Sequence, residues 1–564
     1  MRTFLLSLLP PVVVATPVLA ASPTVDRIFP PGGQRGTTVS VKITGNLDTK
    51  TKAWCSRPDV KLALDAKSSS LKLTIPKDTQ PGVCWLRFYN AEGSSPPKPF
   101  VIGTLSEVIE KEPNDRLEQS QPLKSSAVVN GVLAKSGDVD TFAISLKKGQ
   151  TLVASLTANN TLGSPMDGVL QVVSPRGFVL EQNDDDRGFD PQLAFTAPKD
   201  GTFHVRVFAF PSTPNSSIRL SGAPTYLYRL TLTTGPFLDH PYPLAVSHGS
   251  EQRVELHGWN LRGDGKSLSV PVSGPQSIVT IHDGGLANAG VVVIVPHSAV
   301  TEREPNSLGQ PQPVELPATV SGHIDRPRDV DVFQFTAKRG VQLRFRVEAR
   351  ALGSPLDPVL RLFDAKGAVV AQAETRSATA IDETLSYRVP ADGKYRLEVG
   401  DLHRRGGWRF FYRLTMGPPP AVERIAVASD RFTLSPGKPL TIAVNVAGDG
   451  ISSGRYKIDV RGLPADVSVS TGEPTKSKST GRRRGRRRGR GRSRAAGGQT
   501  VPVTLTLKAG KEFRGPFTIV AVPVGKAGLE YVAEAGIAGE PITALWLTAG
   551  KSAVAGKPKK RRRR

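Results

Sequence analysis

The sequence predicts an all-β protein built as a string of β-sandwich domains, and three observations lead there. Gly (55) and Pro (47) make up about 18% of the 564 residues while aromatics are only 6%, a composition suited to many short strands and turns. Between turn signals, apolar residues alternate with polar ones, as in Val39, Val41 and Ile43 or Phe203, Val205 and Val207, the period of a strand with one buried face. No long stretch of the mature chain carries apolar residues at helical spacing. At this length one core does not suffice, and four to five units are expected.

The chain opens MRTFLLSLLPPVVVATPVLAAS. Arg2, an apolar run and the small-residue end Val18-Leu19-Ala20 predict a secretory signal over residues 1–20. The expected destination is the periplasm, the cell surface or the exterior. No later run approaches the ~20 apolar residues of a spanning helix; VVVIV at 291–295 reads as a buried strand. The two cysteines, Cys55 and Cys84, are expected to form a disulfide in an oxidising compartment. The closed loop of about 30 residues predicts roughly 3–4 kcal/mol of stabilisation, with Trp54 and Trp85 packed at the bridge.

Residues 21–103 hold alternating strands around the Pro-Gly turn in PTVDRIFPPGGQRGTTVSVKITGNL, with Phe100-Val101-Ile102 as a later strand. Through that motif the segment resembles the TIG (IPT) family of immunoglobulin-like domains. YPLAVSHGSEQRVELHGWNL, from Tyr242, repeats the signature weakly and heads a small unit at 236–300. Residues 419–548, with VERIAVASDRFTLSPGKPLTIAVNVAG from Val422, read as a further immunoglobulin-like sandwich. An arginine-rich loop at 481–494 interrupts it, and 549–564 read as a basic tail without structure.

Residues 104–235 and 301–418 are an internal repeat. GDVDTFAISLKKGQTL matches RDVDVFQFTAKRGVQL, LGSPMDGVLQVVSPRG matches LGSPLDPVLRLFDAKG, and YLYRLTLTTGP matches FFYRLTMGP. About eight short antiparallel strands are expected in each copy. The shared E-x-E-P-N-[DS], D-V-D-x-F, Gly-Ser-Pro-x-Asp and D-G-x-[FY] features resemble the bacterial pre-peptidase C-terminal domain, over about 250 of the 564 residues. The resemblance implies a jelly-roll-like β-sandwich.

Each copy pairs its E-x-E-P-N motif with an Asp-Val-Asp triplet 23 to 26 residues later. Crowded carboxylates repel one another without a cation, and calcium takes six to eight oxygens. The first set is Glu110, Glu112, Asn114, Asp115, Asp138 and Asp140; the second is Glu302, Glu304, Asn306, Asp329 and Asp331. In the resembled domains these positions are associated with calcium, which implies a structural Ca2+ at each repeat. The second site is expected to be weaker, because Ser307 replaces Asp115 and Arg328 adjoins the pair. NDDDRGFD (183–190) lacks the distal glutamate of a helical calcium loop and reads as a solvated hairpin.

The formal charge is +25, but the nine arginines of 481–494 and the seven basic residues of 557–564 supply 16 of it, leaving +9. Arg482, Arg483, Arg484, Arg486, Arg487, Arg488, Arg490, Arg492 and Arg494 present forked donors suited to phosphate or sulfate. No aromatic is interleaved for base stacking, so anionic lipid or acidic polysaccharide is a fitter partner than nucleic acid.

The eight histidines are scattered, with no H-E-x-x-H, no G-x-S-x-G elbow and no glycine-rich phosphate loop. His323 and Asp325 read as a turn pair. The function expected is non-enzymatic: a secreted or cell-envelope protein with a structural, adhesive or ligand-binding role toward a protein or glycan, stiffened by calcium. The alternatives are a polyanion binder acting through its arginines and an accessory component of a secreted protease system. Collagen binding is not carried over, because Tyr226, Tyr228, Phe410, Phe411 and Tyr412 fall at core or strand-edge positions.

Overall fold

The structure, a computed structural model, describes residues 21–550 apart from 125, 214–218, 250, 262–266, 272–277, 283–284, 375–381, 477–497, 509–511, 526–528 and 537–540. The predicted signal segment, the nine arginines of the 481–494 run and the basic tail beyond 550 therefore lie outside the described residues.

Among the described residues five main hydrophobic cores follow one another along the chain, centred on Val41 and Phe88, on Phe142 and Val205, on Val254 and Ile294, on Phe333 and Leu397, and on Val444 and Ile519, and a small sixth cluster of Val153, Phe237 and Ala287 joins the second to the third. Each of the five lies between two sheets. The alternation seen in the sequence makes them: along Gly498–Leu507 half-buried and buried residues alternate without a break, so one face closes on the core and the other meets solvent.

The two repeats share one topology. In the first, a sheet ordered Gln121–Leu123, Asp140–Leu146, Gly201–Pro211, Met166–Val173, Val179–Asn183 faces one ordered Gln192–Thr196, Thr151–Thr157, Leu227–Thr233, Ala127–Val132, Glu107–Ile109. The second reproduces both, its outermost strand Ser298–Thr301 beginning a few residues before the boundary expected at 301. Each repeat has ten strands among the described residues, against the eight expected. The additional strands include Glu107–Ile109 and Gln121–Leu123, which pair in parallel with Ala127–Val132 and Asp140–Leu146. Three residues are too few for an alternation to show.

The five units do not run end to end, because the first packs on the last. Arg87, fully buried, donates from Nη1 to Asp430 Oδ2 at 2.7 Å and to Ser95 O at 3.1 Å, and from Nη2 to Ala544 O at 3.4 Å. Trp546 stacks beneath its guanidinium, 5.6 Å away. Trp54, expected beside a disulfide, packs edge-on to Trp546 instead, with centroids 5.8 Å apart.

Cys55 and Cys84 are free thiols here rather than the expected bridge. On their paired strands Cys55 stands opposite Leu86, so Cys84 is its diagonal neighbour. Diagonal Cβ atoms stand wider apart than the ~3.8 Å of a disulfide. The Cys55 thiol donates instead to the carbonyl of Arg57, at 3.0 Å.

A second junction joins both repeats to the small unit between them. Asp239, in Phe237–Tyr242, accepts from Arg187 at 3.3 Å, Gln192 at 3.3 Å, Arg409 at 3.1 Å and His240 Nδ1 at 2.9 Å. Burial opposes its charge, but the His240 hydrogen bond and the two guanidinium groups hold its carboxyl below the ordinary range. Arg409 also grips Asp186 with both terminal nitrogens, at 2.9 and 2.8 Å. NDDDRGFD is thus a junction element and not a solvated hairpin: Asp186 binds the other repeat, and buried Asp190 accepts from the backbone of Ala158, Asn159 and Asn160. Among the described residues no helix is long and apolar enough to cross a membrane.

Candidate metal centres

The acidic motifs meet where the linker entering each repeat crosses the start of an inner strand. In the first repeat, Glu112, Asp138 and Asp140 bring one carboxylate oxygen each to within 4.8 Å of one another. In the second, Glu304, Asp329 and Asp331 do the same. Asn114 and Asn306, 0% and 1% exposed, sit beside them. The carbonyl of Asn114 accepts from Thr141 N at 3.1 Å and that of Asn306 from Val332 N at 2.6 Å, pinning each asparagine to the strand that carries the aspartates.

Both side-chain atoms of Asn114 and of Asn306 are buried without a hydrogen-bond partner, as are Asp138 Oδ1, Asp140 Oδ1 and Asp331 Oδ1. Buried polar atoms are rarely left so, since each costs roughly 1–3 kcal/mol. Converging orphaned oxygens with negative charge fit a hard divalent cation. Glu112, Asn114, Asp138 and Asp140 would hold it in the first repeat, and Glu304, Asn306, Asp329 and Asp331 in the second.

The remaining expected ligands stand apart. Glu110 Oε1 accepts from Val132 N at 2.8 Å, and Glu302 Oε1 from His323 N at 2.6 Å. Their strand-like spacing to Glu112 and Glu304 does not bring them into these triads, because the chain leaves extended pairing after Ile109 and after Thr301. Asp115 lies outside the cluster, with Lys135 Nζ 3.8 Å from Oδ2 and Val139 N donating to Oδ1 at 3.4 Å.

Two residue pairs were missed in the sequence. Tyr228 OH contacts Asp140 Oδ2 at 2.5 Å and Glu110 Oε2 at 2.9 Å; Tyr412 OH contacts Asp331 Oδ2 at 2.5 Å and Glu302 Oε2 at 3.3 Å. A hydroxyl has one proton, so the two short contacts of Tyr228 call for a second proton on its carboxyl pair; in the second repeat only the Asp331 contact is short. Burial drives it on: Asp140 and Glu110 are both pushed up, as are Glu302 and Asp331. Gly131 and Gly322 lie beneath, where a Cβ would collide with the tyrosine and the glutamate. The sequence carries only their recurrence, the YLYR and FFYR tyrosines and these glycines falling at equivalent repeat positions, and not their partners.

Tyr228→Phe leaves two buried carboxyl groups without their shared donor. It is expected to destabilise the first repeat by about 1–3 kcal/mol, measured by melting the intact protein in chelator. Tyr412→Phe is expected to do the same to the second.

Ser307 does leave the second set without a counterpart of Asp115, but Asp325, whose N donates to Asp329 Oδ2 at 3.0 Å, adds a carboxyl where the first repeat has Ala134. His323 lies beside it, 8% exposed; burial and the neighbouring imidazoles of His240 and His257 push it down to about 3.

Comparison with known proteins agrees with this duplication. The family model described as the bacterial pre-peptidase C-terminal domain matches residues 138–209 and 329–401, spanning both Asp-Val-Asp triplets. A probable subtilase-type serine protease of Deinococcus radiodurans is 36% identical over 130 residues, 23% of this chain and 17% of that protein. The chain thus spans about a sixth of the length of that relative. Among solved structures, the pre-peptidase C-terminal domain of a Bacillus anthracis collagenase is 16% identical, covering 20% of this chain and 99% of its own, with a TM-score of 0.16. The Bacteroides ovatus protein SGBP-B, solved with a mixed-linkage heptasaccharide, is 10% identical, covering 68% and 75%, with a TM-score of 0.15.

Proposed function

We propose that this chain is an exported, non-enzymatic binding protein whose two repeats each hold one structural calcium ion and whose sandwiches serve a protein or glycan partner at the cell envelope. The observation that carries it is a cluster of orphaned buried oxygens in each repeat, from Asn114, Asp138 and Asp140 in the first and from Asn306 and Asp331 in the second. Calcium at that point would tie the linker to the sandwich and fix the angle at which each repeat joins its neighbour. A role beside a secreted protease is the second reading, favoured by the 130-residue match to a subtilase-type protease.

Calcium titration of the intact protein by calorimetry is expected to give two sites. Asp138→Ala with Asp140→Ala should abolish one, and Asp329→Ala with Asp331→Ala the other. Calcium that neither binds nor raises the melting temperature would overturn the reading. The arginine segments form a separate polyanion-binding element in this proposal. Deleting 481–494 together with 557–564 is expected to lower the salt needed to elute the protein from a heparin resin, and unchanged elution would exclude them.

A further inference from the structure

The two repeats differ in one chemical respect that the shared acidic motifs conceal. Glu302, His323 and Asp325 bring one ligand atom each to within 4.8 Å of one another. At the corresponding places the first repeat has Glu110, Val132 and Ala134, matched by the same backbone contacts: Val132 N and His323 N both donate to a glutamate, and Ala134 N and Asp325 N both donate to an aspartate. The second repeat therefore adds a nitrogen donor and a carboxylate to a place that is apolar in the first.

The orientation of that nitrogen follows from the neighbouring junction. Asp239, ionised between Arg187 and Arg409, accepts from His240 Nδ1 at 2.9 Å. His240 must therefore carry its proton on Nδ1, and in the neutral ring Nε2 is then a lone pair. His240 Nε2 lies 3.2 Å from His323 Nε2. That contact needs one proton, so His323 carries it on Nε2, and His323 Nδ1 is left as a lone pair. Nδ1 faces the acids: Glu302 Oε1 stands 3.9 Å away, too far for a hydrogen bond. Both rings are buried, which favours the neutral forms this relay requires. A histidine that ligates a metal almost always donates its other ring N–H to a fixed acceptor. Here the acceptor is a second imidazole, itself fixed by a buried carboxylate.

We propose that Glu302, His323 and Asp325 form a distinct transition-metal site in the second repeat, taking a zinc-like divalent cation beside the oxygen-only set of Glu304, Asp329 and Asp331. Imidazole with carboxylates suits zinc and its neighbours, whereas calcium takes oxygen alone. Three protein ligands are present, and Asp325 lies on the exposed side, so coordination is completed from solvent, as in open zinc sites. The inference stands independently of calcium at the neighbouring set, because it rests on the nitrogen donor and its relay.

The test uses the intact, untagged protein, stripped with chelator and then saturated with calcium. Zinc titration by calorimetry is expected to show one zinc per chain. Cobalt, as a spectroscopic substitute, should give visible absorption bands of nitrogen–oxygen ligation. His323→Val and Asp325→Ala restore the residues of the first repeat. His323→Val should remove the cobalt bands and weaken zinc by about 100-fold or more, and His240→Gln, which breaks the relay, by about 10- to 100-fold. The calcium-induced rise in melting temperature should persist in all three. If His323→Val loses that rise as well, Asp325→Ala decides, because its exposed side chain is dispensable for packing: a loss of zinc supports the site and unchanged zinc affinity overturns it. Absence of stoichiometric zinc in the wild-type protein, or cobalt bands unaltered by His323→Val, overturns it equally.

Discussion

Asp430→Ala is expected to destabilise the contact between the first and last units by about 3–5 kcal/mol, the cost of leaving a buried charge without its partner. Arg87 is fully buried and Asp430 is 6% exposed, so water cannot replace the lost carboxylate. Its Nε already lacks a partner, which leaves the guanidinium little to fall back on. The ring of Trp546 and the carbonyls of Ser95 and Ala544 would remain. The double replacement Arg87→Met with Asp430→Leu should recover most of the loss, because well-packed apolar residues often replace a buried ion pair at little cost. Amide exchange in the strands Gly82–Tyr89 and Leu545–Ala549 reports this contact directly. Protection in Asp430→Ala equal to wild type would show that the two units are not joined by this pair.

In chelator, the stability of both repeats is expected to fall as pH rises, and calcium is expected to reverse that dependence. Burial pushes Asp331 up to about 7 and Asp140 up to about 10. A folded pKa above the unfolded value means that the folded state binds the extra proton. The resulting stability is complete below the unfolded carboxylate value near 4 and is lost as pH climbs through the folded values. From pH 5 to 9 the ion-free protein should therefore lose several kcal/mol, at about 1.36 kcal/mol for each pH unit and proton. Calcium binds the deprotonated carboxylates, so its affinity should rise over the same range. At a hundredfold excess over Kd it contributes about 2.7 kcal/mol. Melting curves at pH 5, 7 and 9, with calcium and with chelator, measure both effects. Asp140→Asn, which cannot titrate, should flatten the chelator series for the first repeat. A chelator series that rises with pH would rule out the shared proton.

The all-β architecture was legible because alternation is local: Phe203, Val205 and Val207 announce their strand without help from elsewhere. The repeat was legible because side chains that converge in space recur in one order along the chain, which is how Asp138, Asp140, Asp329 and Asp331 could be named. What escaped the sequence was partnership across distance. Tyr228 lies 88 residues from Asp140, and nothing in YLYR distinguishes a tyrosine that only fills the core from one that also bridges two carboxyl groups. Glu110 was misplaced because a spacing of two guarantees a common side only while the strand persists. Asp186 was misread because its partner, Arg409, lies 223 residues away. Likewise the aromatic at Trp54 was evident, but its packing against Trp546 was not.

The contact between the first and last units also decides how the chain would carry load. Tension applied through residues 21 and 550 passes into two units that already grip each other through Arg87, Asp430 and Trp546. The intervening sandwiches sit on a loop that bears none of that tension while the grip holds. A pull applied at those two residues should therefore break this contact first, letting the molecule lengthen without unfolding a domain. Only afterwards would the strands holding the acidic clusters be stretched. Single-molecule pulling should record that release as a small early extension, and Asp430→Ala should remove it.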